Sequence, residues 1–525
     1  MYSLHGTFKT KMGLTAAVLL SLACPLTTLA AEKTYDGISR WGATEATEGD
    51  PITVNELNGW GSSATDPVHL TVGTKKTKNV TVHNYSAGEG STTEVHGQNI
   101  SFGGEYGDKQ IGGFWVDTGT ITIGDEDTKN ISLTEMRGQK GAQITINGGS
   151  ESLNLGKINA GQTIIRAGGA NTGKVTVDSI GLWGNYHDDD QKVYGADVVI
   201  DGTRGITVNQ DISAKMNSKL QLGTKSNKGD VQIRGKNEWG SSVSAENGSI
   251  VSITAGGKIG ASGNVNAVNG NSTVTMQGAG IDIDGRVHAT GSHYGDEKAP
   301  QISLTAEDSH GKRGNVNVQG LDVDNQGSIT VKGDTVTIDD RKVKQQQDYS
   351  IHSANGSTVS IDSNTITMNK GVAFQGGGEM TLKGEKKVSI GSSTQWPYRS
   401  FDMTGGNLYV GGKEAETVLN GSVSMIAEYG KESTATIDGD KITINATITP
   451  DKFQNGSDRN QSLAIYDQDT DLTIGNDGTR STVINGNLEF SGNKAVMYGN
   501  EITINGLRGK EEWPHPAAIK TDQPV

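Results

Sequence analysis

The sequence predicts an all-β protein folded as a parallel β-helix of roughly 20 rungs. Three observations lead to this fold class. β-Branched residues alternate with polar ones in short runs such as Thr-Ile-Thr-Ile at 120–123, which is the period of a β-strand. Gly, Asn and Asp end each run after a few residues, as expected of turns. Similar runs recur at solenoid-like spacing, for example Gly-Ser-Ile-Val-Ser-Ile at 248–253 and Asn-Ser-Thr-Val-Thr-Met at 271–276.

One short motif shows how the repeats should stack. Gly-x-x-Ile-Thr-Ile-Asn occurs at 141–147, 439–445 and 499–505. A unit of this size cannot bury its own apolar face, so successive units must cover one another. We expect the isoleucines inside and the threonines outside, with the asparagines at turns, where Asn tolerates left-handed backbone angles and can hydrogen-bond to its neighbours in a ladder. The expected inward residues are Ile442, Ile444, Ile502 and Ile504; the expected turn residues are Asn147, Asn445 and Asn505.

Composition favours a folded chain with a thin core. Gly contributes 74 of 525 residues, hydrophobic residues make up 33%, aromatic residues 5% and charged residues 20%. These fractions suit neither several thick cores nor a disordered polyelectrolyte. The net charge of -14 argues against nucleic-acid binding, because phosphate contacts need clustered Lys and Arg.

Residues 1–30 predict a secretory signal peptide. Lys9 and Lys11 precede an apolar stretch at 13–24 that is too short to span a bilayer, and a small-residue cleavage site precedes Ala31. Cys24, the only cysteine, is either an ordinary signal residue or the lipidated residue of a bacterial lipoprotein. Leu22 stands where a lipoprotein signal needs a small residue, which favours the first reading. We therefore expect an exported protein at the cell surface or outside the cell.

After the signal, the pattern divides the chain into three parts. Residues 31–70 are predicted to form an N-terminal cap or irregular lead-in, 71–510 the parallel β-helix, and 511–525 a polar tail. Longer gaps between strand runs predict loops that leave the rod. These loops are 184–192, 292–300, 340–350, 393–400 and 450–461.

Aromatic residues in these loops are candidate contacts for a partner, because binding residues are often carried on loops of a rigid scaffold. Four Trp-Gly pairs, at 41–42, 60–61, 183–184 and 239–240, allow two interpretations. They cap rung corners before a glycine turn, which is favoured, or they form a platform for glycan stacking. The candidate contact residues in the loops are Tyr186, Tyr294, Tyr349, Trp396 and Tyr398.

Catalytic and metal motifs are weak in this sequence. The Asp-Asp-Arg-Lys run at 339–342 lacks the accompanying elements of pectin-type hydrolases, whose chemistry needs two carboxylates at controlled separation. His187 precedes three aspartates at 188–190, but consecutive side chains rarely converge on one ion. The histidines are scattered singly, which suits solvent-facing turns. We therefore expect no catalytic residue, no metal site and no cofactor.

The chain resembles the passenger regions of autotransporters, the type V secreted surface proteins of Gram-negative-type bacteria. The resemblance rests on the secretory signal, the cysteine-free, glycine-rich, acidic body, and repeated units such as Ile-Thr-Ile-Asn, Ile-Thr-Ile-Gly and Gly-Asn-Leu-Glu-Phe. It covers about 31–510 and implies a right-handed parallel β-helix carried across the outer membrane by a C-terminal β-barrel translocator. The chain ends at Val525 without barrel-type strands, so we expect the translocator to lie beyond Val525; release by another route is the alternative.

The expected function is non-enzymatic adhesion or cell-surface contact, with glycans or proteins of host or bacterial surfaces as partners. A long rod suits many weak contacts combined by avidity. Two alternatives remain: a carbohydrate-active lyase or hydrolase, and a spacer that binds nothing itself. A cluster of Asp, Arg and His on one stacked face would favour the enzyme.

Overall fold

The computed structural model describes residues 31–60, 63–103, 105–106, 109–110, 113–187, 192–292, 298–339, 349–391, 399–426, 432–445, 461–465, 469–490, 492–505 and 519–521. The predicted signal peptide lies outside these residues. The described chain is all-β, and it contains no helix long and apolar enough to span a membrane.

A single 47-stranded parallel sheet winds around the rod. Each strand pairs with the strands of the preceding and following coils, never with its neighbour in sequence by a hairpin, as a parallel β-helix requires. The pairings fall into three columns, here called the first, second and third faces in the order in which the chain visits them. The columns hold about 19 coils, close to the predicted 20, and give a rod on the order of 90 Å long.

Nine long strands bend around a corner and contribute to two faces. Those on the first and second faces are Lys33–Ser39, Ile52–Gly59, Asn79–Ala87, Asn130–Gly138, Ser152–Gly161 and Lys174–Trp183. Those on the third and first faces are Ser328–Ile338, Ser357–Met368 and Gly378–Ile390.

The remaining strands each belong to one face or to a small hairpin. First-face strands are Asn99–Phe102, Ile206–Val208, Val231–Ile233, Lys258–Ala261, Gly280–Ile283, Val316–Val318, Glu416–Asn420, Lys441–Asn445, Ser481–Asn485 and Glu501–Ile504. Second-face strands are Phe114–Val116, Ile212–Lys215, Ser241–Glu246, Asn264–Val268, Arg286–Thr290, Gly320–Asp324, Ile351–Ala354, Val372–Gln375, Arg399–Thr404, Ser422–Ile426, Gln461–Ile465, Asn487–Phe490 and Ile519–Thr521. Third-face strands are Glu45–Ala46, Val68–Val72, Ser91–Val95, Thr120–Ile123, Gln143–Ile146, Ile164–Gly168, Asp197–Asp201, Lys219–Leu222, Ile250–Thr254, Thr273–Gly278, Gln301–Ala306, Gly406–Gly411, Ser433–Ile437, Thr470–Ile474 and Lys494–Met497. Two antiparallel hairpins pair Glu105–Tyr106 with Lys109–Gln110 and Asn185–His187 with Lys192–Tyr194.

The sheet extends into both of the segments that were predicted to flank the β-helix. The first strand, Lys33–Ser39, pairs with Ile52–Gly59, so the predicted lead-in at 31–70 already carries the sheet. Strand Ile519–Thr521, which lies in the predicted polar tail at 511–525, pairs with Asn487–Phe490.

The core is a thin column of aliphatic side chains, one or two from each strand. Ile442 and Ile444 are 1% and 0% exposed, as predicted. The prediction is wrong for Ile502, which is 46% exposed, and Ile504 is only partly buried against the core. Both lie on Glu501–Ile504, the last first-face strand in the described part of the chain, where a strand pairs on one side only. The alternation places them inward, but burial needs a coil on each side.

The repeated motif occupies two different faces. Ile444, Ile484 and Ile504 stack in register on the first face, so the copies at 439–445 and 499–505 lie two coils apart in one column. The copy at 141–147 instead forms the third-face strand Gln143–Ile146. The motif therefore encodes an inward-outward strand followed by a turn, and not one fixed edge of the rung.

Asparagines stabilise two corners in different ways. At the end of the first face, side-chain amides form a ladder in which Nδ2 of each residue donates to Oδ1 of the one before, at 2.8 to 2.9 Å. This confirms the predicted ladder for Asn445 and Asn505. Asn147 does not belong to this ladder, because it lies at another corner, after the third-face strand Gln143–Ile146. Left-handed backbone occurs elsewhere, at the corner between the second and third faces. The ladder residues are Asn420, Asn445, Asn485 and Asn505; the left-handed asparagines are Asn217, Asn247, Asn269, Asn325 and Asn355.

Candidate functional site

The second face is the side of the rod on which the coils are most interrupted. Segments 339–350, 391–398 and 446–460 connect first-face strands to second-face strands. Segments 184–196 and 291–300 connect second-face strands to third-face strands. All five loops predicted from the sequence thus begin or end at the second face. Loops on a rigid scaffold are favoured places for binding residues, so the second face is the candidate site.

The side chains of four of the five predicted contact residues lie outside the described part of the structure. Tyr186 lies on the hairpin strand Asn185–His187, with its side chain outside the described part of the structure. Tyr294, Trp396 and Tyr398 also lie outside the described residues. Of these, Tyr398 directly precedes the second-face strand Arg399–Thr404.

Tyr349 lies against the rod and does not extend away from it. Its hydroxyl donates a hydrogen bond to Oδ2 of Asp402 at 3.2 Å, and its carbonyl oxygen accepts from the Arg286 guanidinium at 3.4 Å. The residue therefore connects side chains of different second-face coils.

The tryptophans share the same location. The five in the described part of the chain belong to a second-face strand or to a segment that enters or leaves one. Four of them are exposed: Trp41 by 78%, Trp60 by 44%, Trp115 by 44% and Trp239 by 80%. Tryptophan is highly buried on average, so several exposed tryptophans along one side of the rod are a candidate contact surface. Trp396 and Trp513 lie outside the described residues.

The Trp-Gly pairs have different surroundings at different positions. Trp60 packs over Gly88 of the next coil, as a corner cap would. Trp239 stands at the tip of a turn held by Asn237, whose Oδ1 accepts from the Trp239 and Ser241 amides at 3.0 Å. Its large exposed fraction does not fit a cap. Trp183 covers Gly161 of the preceding coil and also lines a groove.

That groove lies on the second face and has a volume of about 300 Å³. Trp115, Arg137 and Asn159 occupy matching outward positions on three successive coils. Glu135 holds the two polar side chains: its Oε1 accepts from Nε of Arg137 and from Nδ2 of Asn159, each at 3.0 Å. The lining residues are Trp115, Arg137, Gly138, Gln139, Asn159 and Trp183.

A larger concavity of about 410 Å³ lies at the corner between the third and first faces. Its lining is mostly glycine and turn residues, with Lys75 and Glu126 facing each other at 3.5 Å. It contains no aromatic side chain. The second-face groove is the better binding site because it combines aromatic surface with oriented polar groups.

Farther along the second face, the structure brings together a charged cluster. Arg286 is 8% exposed and makes a bidentate pair with Asp322, with Nε–Oδ2 and Nη2–Oδ1 distances of 2.6 and 2.7 Å. Nδ1 of His288 lies 3.1 Å from the same Oδ2. His352 occupies the outward position in register with Asp322. Arg, His and Asp are thus stacked on one face, the arrangement that would favour an enzyme.

This cluster corrects one expectation from the sequence. His288 and His352 lie on strands at outward positions two coils apart, not in solvent-facing turns. His310 does lie in a turn, where Oδ1 of Asp308 accepts from its amide at 2.8 Å. The histidines are 64 residues apart in sequence, so their proximity becomes visible only when the register is known.

Acid should weaken the fold around Asp322. Burial alone would raise the pKa of this carboxyl, but hydrogen bonds from Arg286 and then His288 outweigh it and hold the pKa well below its usual range. The stabilisation is therefore complete above the unfolded-state pKa of about 3.9 and is lost as the pH falls from there. We expect the difference in urea midpoint between the parent chain and Asp322→Asn to shrink below about pH 4. A difference that stays constant down to pH 2.5 would contradict this.

Other candidate chemistry gains no support. Of the Asp-Asp-Arg-Lys run, only Asp339 is described; its amide continues the ladder by donating to the Val318 carbonyl. The side chains around His187 lie outside the described part. Among the described residues, no three His, Cys, Asp or Glu side chains converge as metal ligands would.

Trp115, Arg137 and the Arg286 cluster were not identified from the sequence. The alternation in Phe-Trp-Val at 114–116 does place the tryptophan outward, which was the available signal. Arg137 and Asn159 carry no comparable signal, since polar residues at outward positions are ordinary. No protein-family model, curated protein or solved structure matches the chain.

Proposed function

We propose that the protein is an exported, surface-exposed β-helical passenger of the autotransporter type, and that it contacts glycans or proteins of other surfaces through its second face. One observation carries the proposal: the five tryptophans in the described part of the chain lie on this face or on the segments entering and leaving it. Tryptophan is the residue most enriched among those that dominate binding energy at interfaces.

The shape and charge of the rod support contact with surfaces. About 19 coils present the second face along a length on the order of 90 Å, so several weak contacts can act together. The signal-like N-terminus and the cysteine-free body suit export. The net charge of -14 favours partners other than nucleic acid.

The test compares binding of the purified full chain to intact bacterial and epithelial cells. The second-face variant combines Trp60→Ala, Trp115→Ala and Trp239→Ala. A matched control combines Ile164→Ala and Ile250→Ala, two exposed apolar residues on third-face strands. We expect saturable binding that the second-face variant loses by at least about tenfold and the control retains. Equal loss in both variants would contradict a role for the second face, and no binding by the parent would favour the spacer.

A second candidate function is a carbohydrate-active enzyme, supported by the stacked Arg286, His288 and Asp322. Arg286 and Asp322 satisfy each other, which leaves His288 as the group available for proton transfer. Release of reducing or unsaturated ends from polysaccharides by the parent chain, and its loss in His288→Ala, would establish this activity. Absence of product with neutral and acidic polysaccharides would leave contact as the function.

A further inference from the structure

We infer that the groove between Trp115 and Trp183 binds a neutral, unbranched oligosaccharide that runs along the axis of the rod. The inference rests on the proposed function, since it names the ligand class of one part of the second face. It depends on four features of the groove: its aromatic ends, its polar floor, its charge and its direction.

The aromatic ends differ in exposure. Trp115 is 44% exposed although its strand neighbours Phe114 and Val116 are buried. Trp183 is half-buried and lies against Gly161 of the preceding coil, where a Cβ atom would come within 2.2 Å of its Nε1. The absence of a side chain at position 161 therefore allows the indole to lie close to the backbone. Flat indole faces provide apolar area beside a polar handle, which suits the apolar face of a sugar ring.

The polar floor is oriented before any ligand arrives. Glu135 accepts hydrogen bonds from both Arg137 and Asn159 through the same oxygen, at 3.0 Å. This shared acceptor holds the guanidinium and the amide side by side between the tryptophans. Such preset donors and acceptors reduce the entropy cost of binding a ligand rich in hydroxyl groups.

The charge of the groove favours a neutral ligand. Among the described residues that line it, only Arg137 is charged, and Glu135 pairs with it. Nearby Lys140 is likewise paired with Asp117 at 3.2 Å. With the whole chain at -14, an acidic polysaccharide would be repelled at long range and would find no unpaired cation in the lining.

The register sets the direction of the ligand. Trp115, Arg137 and Asn159 follow one another on successive coils, and Trp183 stands on the coil after that. Trp183 is in register with Gly161, two residues beyond Asn159, and its indole lies back over Gly161. The two indoles are therefore about two coils apart, on the order of 10 Å along the rod. That span exceeds one sugar ring, so the site fits more than one consecutive ring of a chain.

The experiment is calorimetric titration of the purified full chain with cellohexaose, maltohexaose and chitohexaose, with hexagalacturonate as the acidic comparison. We expect saturable binding of at least one neutral hexasaccharide and at least about tenfold weaker binding by Trp115→Ala and by Trp183→Ala. Ile250→Ala is the matched control, because it removes an exposed apolar side chain from a third-face strand, outside the groove, and should bind as the parent does. Gly161→Ala keeps every tryptophan but displaces the Trp183 indole, so it should also weaken binding.

Circular-dichroism melts of each variant separate loss of binding from loss of fold. The inference is overturned if no neutral hexasaccharide binds, if hexagalacturonate binds more tightly than all three, or if folded Trp115→Ala and Trp183→Ala bind as the parent does. Cell binding that persists in those cases would show that the second-face function stands without this ligand. If the parent chain binds a neutral hexasaccharide but does not bind cells, the groove ligand stands and the proposed second-face function fails.

Discussion

Ile444→Asp is expected to destabilise the rod by about 3–5 kcal/mol, because it places an unpaired carboxylate in the apolar column. Ile444 is 0% exposed and stacks between Leu419 and Ile484 of the neighbouring coils. The narrow core offers no cation to pair with the new charge among these neighbours. A shift of the urea midpoint, followed by circular dichroism, measures the effect.

Two variants on the same face serve as controls. Thr443→Asp changes the adjacent outward side chain and should alter stability by no more than about 0.5 kcal/mol. Ile504→Asp lies in the same column as Ile444 but is only partly buried, so its effect should be clearly smaller. Equal effects of Ile444→Asp and Thr443→Asp would show that the inward and outward positions have been interchanged.

The strand pattern could be predicted from the sequence because it is local. Alternating Ile and Thr define which side chains point inward, and Asn and Gly mark where a strand ends, so the β-helix and the burial of Ile442 and Ile444 followed directly. The face on which each strand lies is not local. The same seven-residue motif forms a first-face strand at 439–445 and a third-face strand at 141–147. Strands on every face need the same alternation of inward apolar and outward polar side chains, so the motif does not specify the face.

The positions of the candidate functional residues depend on which face each strand occupies, and the sequence pattern does not reveal this. The five loops were recognised one by one, but their common position beside the second face depends on how many residues each coil contains. Coil length varies: Trp115 and Arg137 are 22 residues apart and in register, whereas Asp322 and His352 are 30 apart and also in register. A fixed repeat length would have misaligned the side chains that form the groove and the charged cluster.

Removing the Arg286 side chain should be the most damaging change on the second face. In Arg286→Ala, the Asp322 carboxylate loses its bidentate partner while its surroundings stay largely dry, and breaking such a pair costs several kcal/mol. Asp322 remains 25% exposed, so we expect the lower end of that range, about 3 kcal/mol. The free energy of unfolding should recover partly at acid pH, where the carboxyl that has lost Arg286 and keeps only His288 beside it can bind a proton.

Arg137→Ala is the matched control, because it removes an arginine from the same face of the same rod. The Arg137 side chain is 56% exposed and makes one hydrogen bond to Glu135, so its loss should cost no more than about 1 kcal/mol.

Replacing both partners, as in Arg286→Met with Asp322→Leu, should restore much of the stability lost in Arg286→Ala, since no buried charge is left alone. If the double variant is as unstable as Arg286→Ala, the stabilisation comes from packing of the guanidinium against Gly320 and not from the ion pair. If Arg286→Ala is no worse than Arg137→Ala, the pair is screened as a surface pair would be, and the second face is wetter at this point than the 8% exposure of Arg286 implies.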